Sequence, residues 1–349
     1  MLHQEYYTSN RLFYTFSHSC TPLVDIRNWK LTVEGDGVDN PFSLNYDDLL
    51  KLPVTTVTRC LECAGNGSAF YAELLNKPAQ GPQWRFGGWG IAEWTGVRLS
   101  ELLGMARIKK EAVEVMPVGV DDPHGERPMP VEKAMEEDTL LAYIMNGQIL
   151  PADHGFPLRA LLAGWVGVSS IKWVNRVIIS TKPIHVATNT TSFVLIGPDY
   201  QPQPPARGPA VTTQLMKSAC CLPWNAVLKP GHNIIAGYAW SPFGKIAGVD
   251  VSIDGGNRFI PADLKGPNIE KAGTRWEFHF HAEPGAMTIT PRATDDKGNV
   301  QYDVSKQKWN QLGYLFGAMV PHPVKVSASK GKSYSGEDES VITPAEGCC

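Results

Sequence analysis

The sequence predicts an α+β domain followed by an all-β sandwich. Over roughly the first two hundred residues, short apolar strands alternate with short helices, which is typical of an α+β domain. Prolines cluster between residues 198 and 209 and indicate a linker. After them the pattern contains only short strands at the spacing of a β-sandwich. We therefore predict domains at residues 1–205 and 206–326, and a disordered tail rich in Ser, Gly, Lys and Glu at 327–349.

The elements of the first domain follow from their periodicity. Residues 43–52 have the apolar spacing of a helix, with Ser43 as the predicted N-cap, and residues 99–105 form the second predicted helix. The predicted strands, which are apolar or alternating, lie at 29–34, 55–63, 157–163 and 174–180.

The second domain is predicted from alternation and turn residues. Its strands are expected at 232–240, 245–253, 275–281 and 287–295. Gly255-Gly256-Asn257 and residues 296–299 supply turns between them. Regular strands of this kind are typical of an immunoglobulin-like sandwich.

Composition excludes several classes of protein. The 349 residues carry a formal net charge of −3, which gives no reason to expect nucleic acid or an anionic membrane as a partner. No apolar run reaches the roughly 18 residues of a membrane span. The polar start predicts no secretory signal, so we expect a cytoplasmic protein, or a periplasmic one if a signal has been removed. Seven cysteines, an odd number with two adjacent pairs, do not resemble a disulfide framework.

The most informative segment runs from Thr58 to Gly67 and contains Cys63. A thiolate at the end of a strand, followed by small residues, presents a soft ligand to a redox-active metal and lets a bulky cofactor approach the backbone. Taken alone, Cys63 would more often be a small buried hydrophobe than a metal ligand. Cys60 and Cys63 have C-x-x-C spacing but lack the two further ligands of a structural zinc site.

Several segments in the same order change this interpretation. Residues 61–67 resemble the C-A-G-N core of the sulfite oxidase family, in which this cysteine binds molybdenum. Residues 92–99 resemble the family's W-x-G-v-x-L segment. Further resemblances lie at 140–147, 153–159, 167–173, 237–241 and 251–257. The resemblance extends from about residue 12 to 326 and implies a molybdopterin-binding domain followed by a dimerisation domain.

The resemblance also implies a cofactor site. Cys63 is its metal ligand and a catalytic residue, and His18 is a second, polar catalytic candidate. The residues at the family's cofactor contacts are Tyr14, Thr15, Phe16, Ser17, His18, Asp121, His154, Arg159, Ser170, Ile171 and Lys172. Arg159 and Lys172 are expected to neutralise a phosphate, although either alone would more often be a solvated surface charge. His154 alone would more often be a structural histidine.

The sequence differs from the family at positions where family members hold their anionic substrate. Phe16 and Ser68 occupy positions of family arginines, Leu312 replaces a third, and Phe193 aligns with a tyrosine. Each lost arginine removes a charge-assisted contact of roughly 1.5–3 kcal/mol to a buried anion. We therefore expect sulfite to be a poor substrate and a neutral or bulkier sulfur compound to be preferred. Arg11, Arg59 and Arg85 are nearby cations that would restore the lost charge if they entered the pocket.

The resemblance implies oxygen-atom transfer with a molybdenum–molybdopterin cofactor. The substrate is a small oxyanion or sulfur compound, and electrons pass to an external acceptor such as a cytochrome. Residues 62–70 and 92–99 also resemble the sulfane dehydrogenases of the same family, which act with a haem partner. Two alternatives stay open: a reductase of a nitrate-like or sulfoxide-like substrate, and a cofactor-free scaffold. The family's second domain implies a homodimer.

Overall fold

A computed structural model describes residues 5–121 and 125–327. They form two domains, a mixed domain with most of the short helices and an all-β domain. Five short α-helices lie in the first domain: α1 (Tyr46–Leu49), α2 (Ala69–Glu73), α3 (Leu99–Met105), α4 (Val131–Ala134) and α5 (Ala187–Thr190). The predicted tail, apart from Ser327, lies outside the described residues.

The first domain contains two sheets. Its strands are β1 (Lys30–Glu34), β2 (Phe42–Asn45), β3 (Val54–Glu62), β4 (Trp89–Arg98), β5 (Glu114–Gly119), β6 (Met129–Pro130), β7 (Thr139–Met145), β8 (Gln148–Ile149), β9 (Arg159–Leu162) and β10 (Val174–Ser180). One sheet has the order β2-β1-β10-β5-β6, and the other has the order β3-β4-β7-β8 with β9 also paired to β7. The two apolar strands β7 and β9 are almost entirely buried, so this second sheet crosses the interior of the domain.

The second domain is a sandwich of two sheets. Its strands are β11 (Lys217–Cys220), β12 (Ala226–Leu228), β13 (Gly231–Trp240), β14 (Ile246–Ser252), β15 (Ile260–Pro261), β16 (Asp263–Ile269), β17 (Gly273–Ala282), β18 (Gly285–Asp295) and β19 (His322–Val326). The sheet orders are β11-β13-β17-β16 and β12-β19-β18-β14-β15. Alternate residues of β17, including Trp276 and Phe278, face the core between the sheets.

Most predicted elements are confirmed within one or two residues. The helix at 99–105 and the strand at 174–180 have their predicted bounds, and the four predicted sandwich strands are present. The helix predicted at 43–52 is wrong at both ends, since α1 begins at Tyr46 and ends at Leu49. Ser43 lies in β2, paired with Thr32, and Asn45 is the N-cap, because its side chain accepts a hydrogen bond from the Asp48 N–H.

Both ends of the described chain cross between the domains. The hydroxyl of Tyr6, in the N-terminal segment, donates to the Gly273 carbonyl in the sandwich. Phe316, in the segment between β18 and β19, packs on Phe70 and Tyr71 of α2. The domain boundary predicted at 205/206 stays a prediction, since segments on both sides of it build each domain. Within the described part of the chain, no helix is long and apolar enough to span a membrane.

Gly237 in β13 provides a test of sandwich packing. A Cβ at this position would overlap the Ala219 carbonyl oxygen and the Trp276 ring. Because neither the backbone nor a buried indole yields easily, we expect Gly237→Ala to lower the free energy of unfolding by about 1–3 kcal/mol. Urea denaturation measures this. Gly248→Ala, where a Cβ would meet nothing within 4 Å, is the matched control; equal destabilisation by both variants would contradict the packing argument.

Candidate active site

One cavity brings together the residues predicted from the motifs. It is lined by Tyr14, Thr15, Phe16, Ser17, His18, Cys63, Ala64, Asp121, Gly125, Asp153, His154, Arg159, Gly167, Val168, Ser170, Ile171, Lys172, Trp173 and Phe193. All predicted metal, catalytic and cofactor-binding positions are in this list. The walls come from segments far apart in sequence: the N-terminal loop, the end of β3, and the loops on either side of β9.

Cys63 lies at the point where β3 leaves its sheet. Its backbone N–H donates to the Gly88 carbonyl at 2.8 Å, and its carbonyl accepts from the Asn66 N–H at 2.9 Å. These bonds close a turn over residues 63–66. Gly67 follows with φ +98° and faces Phe316, so the chain can reverse tightly here. The side chain of Cys63 is therefore held at the cavity wall by backbone bonds on both sides.

The Cys63 thiol is buried enough to resist ionisation. Burial raises its pKa, and the carboxylate of Glu62 adds to the rise. A backbone hydrogen bond from Gly65 and the charge of Lys217 act in the opposite direction. A metal ion would reverse this balance, because a coordinating thiol is deprotonated by the ion's own charge.

The cavity lining also carries buried positive charge. Arg159 is 8% exposed, and its Nη1 donates to the His154 carbonyl at 3.0 Å. No carboxylate pairs with it among the residues that the structure describes, and burial lowers its pKa to about 10. Lys172 donates to Ser17 Oγ and to the Asp153 carbonyl at 3.1 Å; burial and Arg159 lower its pKa to about 7.

His154 stands beside this cationic side as a neutral ring. Its Nε2 contacts the Asn10 carbonyl at 3.0 Å, and burial and the Arg159 charge lower its pKa to about 4. Phe13 packs edge-on against it at 5.7 Å. His154 therefore positions the N-terminal loop against the 152–154 turn.

The mouth of the cavity is aromatic. The His18 ring lies edge-on to Phe16 at 5.2 Å and to Phe193 at 5.6 Å. Phe193 stacks on Tyr314 at 5.1 Å and 17°. Arg127 lies behind this wall with its guanidinium carbon 5.9 Å from the Phe193 ring, donating to the Thr188 and Val211 carbonyls. The Arg127 guanidinium therefore donates to backbone carbonyls, and Arg127 is not among the residues that line the cavity.

Unsatisfied polar atoms test whether the site fits a pterin cofactor with a phosphate. Within the described part of the chain, two atoms of cavity-lining residues, Arg159 Nε and Asp121 Oδ1, are buried without a hydrogen-bond partner. Buried polar groups are normally paired, so these atoms indicate a missing polar ligand. A guanidinium lacking a counter-ion fits a phosphate, and a carboxylate oxygen fits an N–H donor of a pterin ring. The donor set therefore fits the group, with Cys63 as its soft metal ligand.

Of the four positions where the sequence departs from the family, two lie in the cavity lining and two do not. Ser68 does not reach the cavity; its hydroxyl donates to the Pro82 carbonyl at 2.5 Å and accepts from the Trp84 N–H at 3.0 Å. Leu312 is not among the lining residues, whereas Phe16 and Phe193 are.

The three nearby cations do not replace those arginines. Arg59 pairs with Asp138 at 2.8 Å, and Arg85 pairs with Glu73 at 3.0 Å. Arg11 is exposed, and none of the three lines the cavity.

Sequence reasoning missed several wall residues. Asp153, Gly167, Val168 and Trp173 lie inside the matched motifs, but the motifs alone do not say which of their members face the cavity. Gly167 is required at its position, since a Cβ there would collide with the Tyr14 hydroxyl. Tyr314 belongs to no recognisable pattern, and only the fold brings it to Phe193.

Comparison with known proteins agrees with this geometry. Residues 18–187 match the family model described as oxidoreductase molybdopterin binding domain, and residues 210–329 match the Mo-co oxidoreductase dimerisation domain. The chain is 34% identical to the mitochondrial sulfite oxidase of Rattus norvegicus, over 91% of this chain and 61% of that protein. It is 33% identical to the sulfite oxidase of Gallus gallus, over 90% and 72%. The chain thus spans less than two thirds of the mammalian relative.

A solved structure extends the comparison. The sulfane dehydrogenase SoxCD from Paracoccus pantotrophus superposes with a TM-score of 0.80 and 30% identity, covering 89% of this chain and 79% of that one.

Lys172 gives the cofactor-free protein a specific pH dependence. The folded pKa is about 7, against roughly 10.4 in an unfolded chain. Between these two pH values the unfolded state binds more protons than the folded state, so the free energy of unfolding rises with pH from about 7 towards 10. Below pH 7 Lys172 is charged in both states, and the full cost of burying its charge lowers the stability of the folded state. We expect Lys172→Gln to reduce the slope of urea midpoint against pH in that window. Lys182→Gln, at an exposed lysine, is the control; an unchanged slope in Lys172→Gln would refute the assignment.

Proposed function

Because the chain belongs to the sulfite oxidase family of molybdenum-cofactor oxidoreductases, we propose that it oxidises a sulfur compound other than free sulfite. The observation that carries this proposal is a cavity whose lining holds both a thiol, Cys63, and a buried arginine without a counter-ion, Arg159. Its mouth is lined by Phe16 and Phe193, at positions where the family has an arginine and a tyrosine.

The cofactor, when bound, supplies two-electron oxygen-atom transfer, and this chain's residues hold and surround it. Cys63 Sγ would be the protein ligand to the metal. Arg159 and Lys172 would hold the phosphate, and Asp121 would accept from the pterin ring. Tyr14 keeps its proton, since burial raises its pKa well above the usual value, so it would offer a neutral O–H beside Cys63.

The substrate preference follows from charge at the mouth. Phe16 and Phe193 cannot donate to an oxyanion, and the His18 ring lies between them. A fully charged small anion would lose its hydration there without receiving arginine contacts, which is unfavourable. A neutral or bulkier sulfur compound, whose apolar part packs on the aromatic rings, would bind better. The superposition on a sulfane dehydrogenase supports this class.

We also propose an external electron acceptor, such as a cytochrome, and a homodimer. The match of residues 210–329 to a dimerisation domain supports the second point. We propose a reducing compartment such as the cytoplasm, since seven cysteines, an odd number with two adjacent pairs, do not resemble a disulfide framework.

A reductase of a small oxo substrate is the second candidate function. It uses the same cofactor in the opposite direction, and the aromatic mouth favours a neutral substrate of the sulfoxide type. A cofactor-free scaffold is less well supported, because such a protein would have no use for a buried, uncompensated Arg159.

Replacement of the ligand separates an enzyme from a scaffold. We expect Cys63→Ser to remove bound molybdenum and all turnover, because a hydroxyl is a far poorer ligand for a soft site, and to leave the unfolding temperature of the cofactor-free protein close to that of the wild type. Cys20→Ser, at an exposed thiol, is the control. Metal analysis and thermal unfolding are the measurements, and wild-type metal content in Cys63→Ser would rule out this ligand.

Sulfite turnover tests the substrate class. Molybdenum-loaded wild type should reduce an artificial one-electron acceptor slowly with sulfite. Phe16→Arg should raise kcat/KM for sulfite about tenfold, the lower end of a charge-assisted contact. Leu12→Arg, which adds the same charge at an exposed position outside the lining, should have a much smaller effect. Rapid, saturable sulfite turnover by the wild type would show that the pocket accepts the anion after all.

A further inference from the structure

A buried ion pair joins the two domains directly beside the metal-ligand loop. Glu62, the last residue of β3, and Lys217, the first residue of β11, form a salt bridge with side chains 2% and 3% exposed. Glu62 immediately precedes Cys63. Lys217 belongs to the sandwich, so the contact spans the domain interface.

Lys217 holds both ends of the turn that presents Cys63. Its Nζ contacts Glu62 Oε1 before the turn and donates to the Asn66 carbonyl at 3.0 Å at the end of it. Asn66 Nδ2 donates to the same Glu62 oxygen at 2.9 Å. One ammonium group therefore fixes the two residues that flank Cys63-Ala64-Gly65.

The remaining oxygen of Glu62 is also anchored by the sandwich. Trp240 Nε1, on β13, donates to Glu62 Oε2 at 2.9 Å, and the Trp240 ring stacks on Trp89 at 4.6 Å. Asn66 Oδ1 accepts from the Gly88 N–H at 3.0 Å. Gly88, whose carbonyl accepts from the Cys63 N–H, is thus part of the same network.

A gain in folding stability is not a sufficient explanation for the buried Glu62–Lys217 ion pair. Removing two charges from water costs several kcal/mol per ion, and well-packed apolar residues often serve as well. What a fully bonded buried pair provides is a defined position for the groups around it.

We propose that Lys217 is a positioning residue for the metal ligand: through Glu62 and Asn66 it lets the sandwich domain set the geometry of the Cys63 turn. The proposal rests on the proposed function, since it assumes that Cys63 binds molybdenum. It assigns the second domain a part in the metal site in addition to dimerisation.

Lys271 offers a matched control. It also lies in the sandwich and also pairs across the interface, with Asp138 and Glu136 at 3.2 Å each. Its side-chain contacts do not include the Cys63 turn. Its backbone carbonyl accepts a hydrogen bond from the Cys60 N–H of β3 at 3.0 Å, and a change of side chain does not remove this bond. Lys271→Gln therefore disturbs domain docking without removing a contact to Glu62 or Asn66.

The experiment compares Lys217→Gln, Lys271→Gln and the double variant Glu62→Gln/Lys217→Gln, each as the full chain. Molybdenum per protomer, the electron paramagnetic resonance spectrum of chemically poised Mo(V) and the unfolding temperature are measured, so no substrate is needed. We expect Lys217→Gln to lose about tenfold in molybdenum content, as for other residues that orient metal ligands. Lys271→Gln should keep wild-type content and spectrum, even if its unfolding temperature falls.

The double variant guards against simple misfolding, because it leaves no unpaired buried charge. It should fold and take up metal, with an Mo(V) spectrum different from the wild type because the Asn66 carbonyl has lost its ammonium donor. Wild-type content and spectrum in the double variant, or equal metal loss in Lys271→Gln and Lys217→Gln, would overturn the proposal. Molybdenum missing from the wild type would instead overturn the proposed function, and this inference with it.

Discussion

The antiparallel pairing of β3 with β4 is the constraint on which the site depends. Nine residue pairs run from Val54 opposite Val97 to Glu62 opposite Trp89, and the ladder ends there. Cys63 is the first residue beyond the ladder, and its N–H still donates to the carbonyl of Gly88, the residue before β4. A ligand on a free loop would need the cofactor to order it, whereas here the sheet has already fixed the backbone.

Charge is distributed unevenly in the cavity, and this separates two tasks. Buried cations at Arg159 and Lys172 face the side where a phosphate fits, and their cost of burial is recovered only when an anion arrives. The mouth, with Phe16, His18 and Phe193, carries no arginine. In the proposed site, affinity for the cofactor and selectivity for the substrate would therefore be set by different residues.

Part of the fold and of the site could be predicted from the sequence. β3, α3 and β10 follow from local periodicity, whereas β4, β5 and β7 were not predicted. Twelve residues of the cavity lining follow from the resemblance, and the others are identified only by the fold. The N-cap at Asn45 was missed because Ser43 is an equally good capping residue and only pairing with Thr32 decides between them. The Glu62–Lys217 contact could not be inferred, since 155 positions separate the partners and each charge alone is typical of a solvent-exposed face.

The crossing of chain segments at both ends bears on how such proteins can be recombined. Tyr6 is anchored in the sandwich, and the stretch around Phe316 leaves the sandwich to cover α2 before β19 returns to it. Each domain is therefore covered in part by a segment that belongs, in sequence, to the other domain. Cutting at the proline-rich linker would therefore expose apolar surface on both halves, and neither domain is a portable module in gene fusion or exchange between relatives.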